Sequence, residues 1–185
     1  NGFVRQLIAL IVLTVFYITN LMGIEGAAKL QNARWVLERA TRDHAMRLDT
    51  ETLHDTAVFL GAAAKNAAAA TSLDTLRGIE GEGAQRHFSV FDDLILQQKE
   101  AFVFTGRSRR PPLDRVNALL SFVYTLLAHD VGAALETVGL DPYVGFLHRD
   151  RPGRLSLALD LMEELRTVVC DRFVLSLINR RMVSA

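Results

Sequence analysis

The stretch RPPLDRVNALLSFVYTLLAHDVGAALETVGL, Arg110 to Leu140, decides the fold class. Its paired prolines lack a backbone N–H and fix φ, so a helix cannot continue through them. Asp114 follows them, and aspartate is among the residue types that cap helix N-termini. A long apolar run then extends to Gly139 without the alternation typical of a strand. We predict one long helix from about Asp114 to Gly139.

Helical patterning continues on both sides of this stretch. The segment Asp49 to Ala70 opens with capping-type residues and becomes alanine-rich, a composition of high helix propensity. The next region carries glycines that are expected to interrupt it, at Gly78, Gly81 and Gly83. No strand pattern and no repeat of fixed period is visible. We predict a mainly α fold whose other helical segments are 29–48, 49–70, 72–98 and 155–181.

Length and composition describe an ordinary folded chain. It has 185 residues, of which 50% are hydrophobic and 23% charged. That is enough for one sizeable core. The single cysteine, Cys170, cannot form an internal disulfide, and no Cys/His cluster suggests zinc or an iron–sulfur centre within the chain. We expect a cytoplasmic protein.

The N-terminal segment is anomalous. Gln6 to Ile24 contains no charged residue and approaches the ~20 residues that a membrane-spanning helix needs. A buried segment, or a stretch whose residue identities are unreliable, explains it equally well. We divide the chain into residues 1–25, an apolar segment of uncertain identity, and residues 26–185, an α-helical domain truncated at its C-terminus.

Arginine dominates the basic residues. The formal net charge is zero, with 21 basic and 21 acidic residues, yet only Lys29, Lys65 and Lys99 are lysine. Composition bias in the source genome would produce the same preference. Two clusters favour phosphate binding, because a guanidinium grips phosphate at two points and clustered charge can bind nucleic acid on a neutral protein. The clusters are Arg107, Arg109, Arg110 and Arg115, and then Arg149, Arg151 and Arg154.

The last helical segment carries a polar strip opposite an apolar face. Asp160 and Glu163 are three residues apart, so their side chains rise from neighbouring positions on one face. A solvated strip is one interpretation of this pattern, and a ligand pair is the other. His148 lies in the preceding loop, and an imidazole beside carboxylates suits Mn²⁺ as well as Mg²⁺. The strip consists of Ser156, Asp160, Glu163, Thr167 and Asp171.

Glu80 is the best candidate for a third ligand. It lies in LRGIEGEGAQRHF between glycines, which remove side-chain bulk and let a substrate or backbone approach. A helix break with two exposed acids, Glu80 and Glu82, is the alternative. His87 is a rival ligand nearby, although its sequence context shows nothing special.

Four motifs carry a resemblance to a known family: LRGIEGEGAQRHF, GRSRRPPLDRVNALLSFVYTLL, GLDPYVGFLHRDRPGRLSLALDLMEELR and DRFVLSLINR. In this order they resemble the catalytic α-helical domain of the CRISPR-associated integrase, the metal-dependent nuclease of the CRISPR adaptation module. The resemblance covers about Lys29 to Arg181. The resemblance also implies an N-terminal β domain that builds the family's dimer interface, and we expect that domain to be missing from this chain.

The resemblance implies a metal site. It makes Glu80, His148 and Glu163 the catalytic residues and the ligands of Mg²⁺ or Mn²⁺, so we expect them to converge beside Gly78 or Gly81. At least one arginine from each of the two arginine clusters, which lie in loops, should face the same groove as these ligands. Supporting residues near the site would be Asp160, Tyr124 and Asn117. Contacts to the DNA backbone would come from Arg107, Arg109, Arg110, Arg149, Arg151 and Arg154.

The implied function is spacer acquisition by a DNA endonuclease and integrase. The 3′ ends of short foreign DNA fragments would be joined to a CRISPR repeat by transesterification. Expected partners are this DNA, a second copy through the missing N-terminal domain, a small ferredoxin-like adaptation protein and, in some systems, an iron–sulfur nuclease as subunit or fusion. Two alternatives stay open: a structure-selective DNA nuclease that does not integrate, and a non-catalytic scaffold or membrane-associated helical subunit.

Overall fold

The computed structural model describes residues 24–148 and 151–184. These residues contain no strand, so the prediction of a mainly α fold is confirmed. Most of the anomalous segment, and Arg149, lie outside the described residues. The helices are α1 Ile24–His44, α2 Thr50–Ala68, α3 Leu73–Ser89, a 3-10 helix Asp92–Leu94, α4 Arg115–Thr137, α5 Ser156–Leu165, a π-helix Arg166–Asp171 and α6 Arg172–Asn179.

Side-chain caps begin three of the helices. The Asp49 carboxylate accepts hydrogen bonds from two backbone N–H groups at the start of α2. Ser72 Oγ accepts from the N–H of Thr75 at 3.1 Å, and Asp114 Oδ1 accepts from the N–H of Asn117 at 2.7 Å. Each cap satisfies donors that a helix leaves without an intrahelical partner. The prediction that α4 starts after Asp114 is confirmed.

The predicted interruption of the third helix is wrong, because α3 runs without a break through all three of its central glycines. A Cβ on Gly83 would lie 2.1 Å from Cδ2 of Leu30 in α1, so this glycine permits a close approach of two helices. Gly78 and Gly81 have nothing within 4 Å of such a Cβ. A glycine costs a helix about 1 kcal/mol relative to alanine, and the close packing against Leu30 of α1 offsets that loss at Gly83.

One main core joins α1, α2, α4 and the C-terminal helices. Its fully buried side chains include Leu37 of α1, Leu60 of α2, Leu120 of α4 and Ile178 of α6. A smaller apolar cluster forms where the end of α4 meets the start of α5, around Leu135, Leu157 and Ala158. Because α5 is held between these clusters, its polar residues have a fixed position relative to α1, α3 and the loop before it.

The segment predicted as one last helix is divided, and its polar face is turned inward. α5 and α6 are separated by the π-helix. The interpretation of the polar strip as a solvated face is wrong. Its residues are buried, with relative exposures of 0% for Asp160, 8% for Glu163 and 1% for Asp171. By contrast, Leu165 and Phe173 from the apolar face are 44% and 51% exposed.

Helix α4 is the one described helix that is long and apolar enough to cross a membrane by length and composition. Its Val116, Leu120 and Tyr124 lie in the main core, packed with residues of the C-terminal helices. One helix of this kind is weak evidence for a membrane span, and 22% of its apolar window is buried.

Candidate metal and phosphate site

The carboxylate of Asp160 organises the loop that carries His148. Its Oδ2 accepts hydrogen bonds from the backbone N–H groups of Phe146 at 2.6 Å and Leu147 at 3.1 Å. Its Oδ1 accepts from the N–H of His148 at 3.0 Å and lies 2.6 Å from that residue's Nδ1. A fully buried carboxylate is stable here because these donors replace water.

This contact defines the free nitrogen of His148. Since Asp160 is the acceptor, we assign the imidazole proton to Nδ1, which leaves the lone pair on Nε2. Such a carboxylate–histidine pair is the usual support of a histidine that binds a metal through its other nitrogen. The His148 side chain is 26% exposed and lines a cavity, so it is accessible to an ion from outside.

Gly145 allows this loop to reach α5. A Cβ at this position would lie 2.6 Å from Cβ of Ser156, 2.8 Å from its carbonyl carbon and 2.9 Å from Oδ2 of Asp160. Backbone cannot move aside as a flexible side chain can. The loop therefore needs glycine here in order to bring three consecutive N–H groups onto one carboxylate.

We expect Gly145→Ala to lower the free energy of unfolding by about 2 kcal/mol, because overpacking a tight site typically has that effect. Gly78→Ala is the matched control: it has open space and should stabilise α3 by up to about 1 kcal/mol. Chemical denaturation of both variants measures the difference. Equal effects at the two positions would show that the close approach at Gly145 is not needed.

The three predicted ligands share one cavity. Glu80, His148 and Glu163 line a space of about 400 Å³ between α1, α3, α5 and the loop before α5. Four basic residues line it with them, so the lining carries two acidic and four basic side chains: Lys29, Arg77, Arg151 and Arg154. An acidic pair within a basic surround is suited to holding a cation beside phosphate groups.

Two cations hold Glu163. Its Oε1 contacts the guanidinium of Arg166 one turn later, and Lys29 Nζ lies 2.7 Å from Oε2. The separation of Lys29 Nζ and Oε2 is that of an ion pair. Oε2 is buried, and no donor has hydrogen-bond geometry toward it. This oxygen therefore keeps lone-pair capacity beside the Lys29 ammonium.

The donor set fits a hard divalent ion. Two carboxylates and one imidazole nitrogen are ligands that Mn²⁺ and Mg²⁺ accept, and Oε2 of Glu163 is a buried oxygen without a hydrogen bond. The side chains are not drawn together around an ion: within residues 24–148 and 151–184, no group of three or more His, Cys, Asp or Glu has the spacing of a metal site. Their role as ligands stays a prediction.

A buried polar layer lies behind Glu163. The guanidinium of Arg166 stacks over the ring of Tyr124 at 5.0 Å, and the Tyr124 hydroxyl donates a hydrogen bond to Asp171. Burial and the neighbouring Asp171 carboxylate keep the pKa of Tyr124 well above its ordinary value, so the hydroxyl stays protonated and keeps donating. Tyr124 thus reaches the site through Arg166 rather than by lining the cavity.

His87 has a more specific environment than its sequence context suggested. It is 3% exposed, and its Nε2 lies 3.3 Å from Oδ2 of Asp171 without hydrogen-bond geometry. It does not line the cavity of Glu80. The π-helix places Asp171 between His87 and Tyr124, an arrangement that a regular 3.6-residue period does not predict.

The arginines of the first arginine loop, which precedes α4, differ in burial. Arg107 is partly buried: its guanidinium donates to Asn117 Oδ1 at 2.7 Å and stacks over Tyr124 at 5.1 Å. Arg109 and Arg110 are exposed. Asn117 is fully buried and holds this loop through Gly106 and Ser108. Its contacts are with the loop and the α4 cap, not with the three predicted ligands.

Arginines of the two loops line different cavities in the described residues, and the expectation of one shared DNA groove stays a prediction. Arg151 and Arg154 line the cavity of the three predicted ligands. Arg107 and Arg109 line a separate groove against the C-terminal half of α3. The sequence pattern also missed Lys29, Arg77 and Arg166, since each acts through a contact made by folding. Arg77, for example, donates to the carbonyl of Leu147 at 2.7 Å.

Comparisons with known families and structures match most of this chain. The family model described as CRISPR associated protein Cas1 matches residues 18–185. A CRISPR-associated endonuclease Cas1 from Chlorobaculum tepidum is 56% identical over 157 residues, which is 85% of this chain and 46% of the relative. The chain spans about half the length of these curated relatives, 46% of one and 47% of another.

Two solved structures have the same fold. A chain of a Cas6-RT-Cas1–Cas2 complex matches with a TM-score of 0.77 and 28% identity, over 89% of this chain and 17% of that one. A casposase bound to an integration product matches with a TM-score of 0.67 and 27% identity, over 100% of this chain and 46% of that one. This chain belongs to the CRISPR-associated Cas1 family.

Proposed function

We propose that this chain is the catalytic domain of a metal-dependent DNA endonuclease and integrase that joins 3′ ends of short DNA fragments to a CRISPR repeat. One observation carries the proposal: Glu80, His148 and Glu163 line one cavity together with four basic side chains. Family membership supports it, because curated relatives are named CRISPR-associated endonucleases and a solved relative is named as bound to an integration product.

The reaction is a transesterification at phosphorus. A 3′-hydroxyl of the fragment attacks a backbone phosphate of the repeat, and a P–O bond to another 3′-oxygen breaks. The attacking hydroxyl loses its proton and the departing oxygen gains one, so charge and atoms balance. A divalent ion held by Glu80, His148 and Glu163 would act as a Lewis acid toward the phosphate and the departing oxygen.

The chain's own residues orient the phosphate. Arg151 and Arg154 lie at the same cavity as the predicted ligands, where they can hold non-bridging oxygens. Asp160 fixes the ring of His148, and Arg166 fixes one oxygen of Glu163. Such preorganisation matters because charge must be stabilised where it develops, without rearrangement during the reaction.

Hydrolysis by the same site is the second candidate, favoured by the word endonuclease in the names of the relatives. Products separate the two: a fragment with a labelled 3′-hydroxyl, incubated with repeat DNA and Mn²⁺, should yield joined strands longer than either substrate. Cut repeat DNA without joined strands would favour a nuclease that does not integrate. Deleting residues 1–24 without loss of metal-dependent activity would exclude the membrane-associated scaffold.

DNA and a small adaptation protein are the proposed partners. A relative occurs in a complex whose name includes Cas2, which supports the expectation of a protein partner. Pairing with a second copy and association with an iron–sulfur nuclease remain part of the proposal.

Arg109 and Arg110 should supply sequence-independent DNA affinity. We expect Arg109→Ala with Arg110→Ala to weaken binding equally on unrelated duplexes and to flatten the salt dependence by up to ~0.9 per lost phosphate contact. Titrations of labelled duplex at several salt concentrations measure this slope. Arg39→Ala, which removes an exposed arginine paired with Asp43, is the control. An unchanged slope in the double variant would exclude phosphate contacts at these positions.

A further inference from the structure

Lys29 is placed unusually for a surface lysine. It is one of three lysines among 21 basic residues, and its side chain is only 19% exposed. The ammonium lies 2.7 Å from Oε2 of Glu163, at the wall of the cavity that Glu80 and His148 also line. A cation therefore already contacts the carboxylate oxygen that the proposed ion would need.

Helix α1 holds this lysine in position from both sides. Three residues earlier, a Cβ on Gly26 would lie 2.8 Å from Oε1 of Glu80, so α1 passes directly against that carboxylate. Three residues later, Asn32 Nδ2 donates to the backbone carbonyl of Glu164 at 2.8 Å. Residues three apart share one helix face. One face of α1 thus contacts both helices that carry the acidic ligands, and Lys29 lies at its centre.

The two oxygens of Glu163 differ in what holds them. Oε1 contacts Arg166, whose guanidinium is also stacked on Tyr124 and is therefore anchored twice. Oε2 contacts the end of a long, flexible lysine side chain that reaches it from another helix. A change of partner is easier at Oε2, because a lysine ammonium on its four-carbon stem can leave without any movement of backbone.

We propose that Lys29 is a built-in counterion of the metal site. Its ammonium neutralises Oε2 of Glu163 when no divalent ion is bound and leaves that oxygen when an ion binds. Two cations in contact with one oxygen would repel each other strongly in this partly buried cavity. The inference rests on the proposed metal site. Without metal, the Lys29 ammonium reduces the repulsion between the carboxylates of Glu80 and Glu163. Because Lys29 competes with the ion, the site binds a divalent ion more weakly than the same ligands would without Lys29.

Calorimetric titration of the full chain with Mn²⁺, without DNA, tests this exchange. We expect Lys29→Met to bind Mn²⁺ about tenfold more tightly than the wild type, since a competing charge in direct contact has been removed. Lys29→Arg keeps the charge and should stay within about twofold of the wild type. Arg154→Met removes a charge from the same cavity and should tighten binding by at most about threefold. Lys29→Gln replaces Lys29→Met if the latter does not fold.

Melting temperatures provide a readout that is independent of affinity. Lys29→Met should melt lower than the wild type without metal, because Oε2 of Glu163 is then buried without its counterion, and the difference should vanish in saturating Mn²⁺. If Lys29→Met leaves the Mn²⁺ affinity unchanged or weaker while Glu163→Gln abolishes Mn²⁺ binding, the counterion role of Lys29 is overturned. The proposed metal site is then retained. An equal gain in Arg154→Met also overturns it. Absence of Mn²⁺ binding in the wild type overturns both.

Discussion

Glu163→Gln is expected to slow metal-dependent strand joining by roughly a thousandfold, since loss of a metal ligand removes several kcal/mol of charge stabilisation. The amide keeps one acceptor for Arg166, so the helix around it should remain folded. Glu82→Gln is the matched control: that carboxylate is exposed on α3 and does not line the cavity, and the rate should stay within about twofold. Joined product per folded molecule, followed by gel with circular dichroism as a check, gives the comparison.

Asp160→Asn should keep partial strand joining, because Asp160 contacts His148 rather than the cavity. If the Asp160→Asn variant is folded yet joins less DNA than Glu163→Gln, then Asp160 rather than Glu163 is the metal ligand. The measurement must be corrected for folded protein, since an amide at this position turns one acceptor oxygen into a donor that faces at least one backbone N–H group.

Asp160→Ala is expected to lower the free energy of unfolding by about 3–5 kcal/mol, the loss typical of removing one partner from a buried charged network. Three backbone N–H groups and the imidazole of His148 would lose their acceptor together. Asp141→Ala is the control at the other end of the loop. Its carboxylate accepts one exposed N–H, from Tyr143, and its loss should change stability by at most about 1 kcal/mol.

Urea denaturation of the two variants measures both values. A small effect at Asp160 would mean that water enters and satisfies the loop. The loop would then not depend on the carboxylate for its shape, and the orientation of His148 would need another explanation.

Local signals predicted the helices well. The Asp114 cap and the long apolar run specify α4 without reference to the rest of the chain, because capping and propensity act within one turn. The prediction of an interrupted α3 was wrong, since the packing that compensates for Gly83 comes from Leu30, more than fifty residues earlier. The π-helix between α5 and α6 was also missed, because a pattern of regular period does not indicate where such a segment falls.

The site was predictable only in part, for a similar reason. Glu80 and His148 stand out in their motifs, and Asp160 and Glu163 by their spacing. Whether that acidic strip faces water depends on what covers it, and the covering residues lie on distant elements: Lys29 on α1 and the loop before α5. Lys29, Arg77 and Arg166 carry no motif of their own. Their importance follows from contacts with Glu163 and with the carbonyl of Leu147.

Anomalous X-ray diffraction from crystals of the full chain grown with Mn²⁺ tests the central claim most directly. The predicted result is one strong peak in the cavity, at roughly 2.0–2.6 Å from oxygen and nitrogen ligands supplied by Glu80, His148 Nε2 and Glu163 Oε2, with the ammonium of Lys29 withdrawn. The claim is contradicted if well-ordered crystals show Mn²⁺ bound elsewhere, or no Mn²⁺ in the cavity while Lys29 still contacts Glu163.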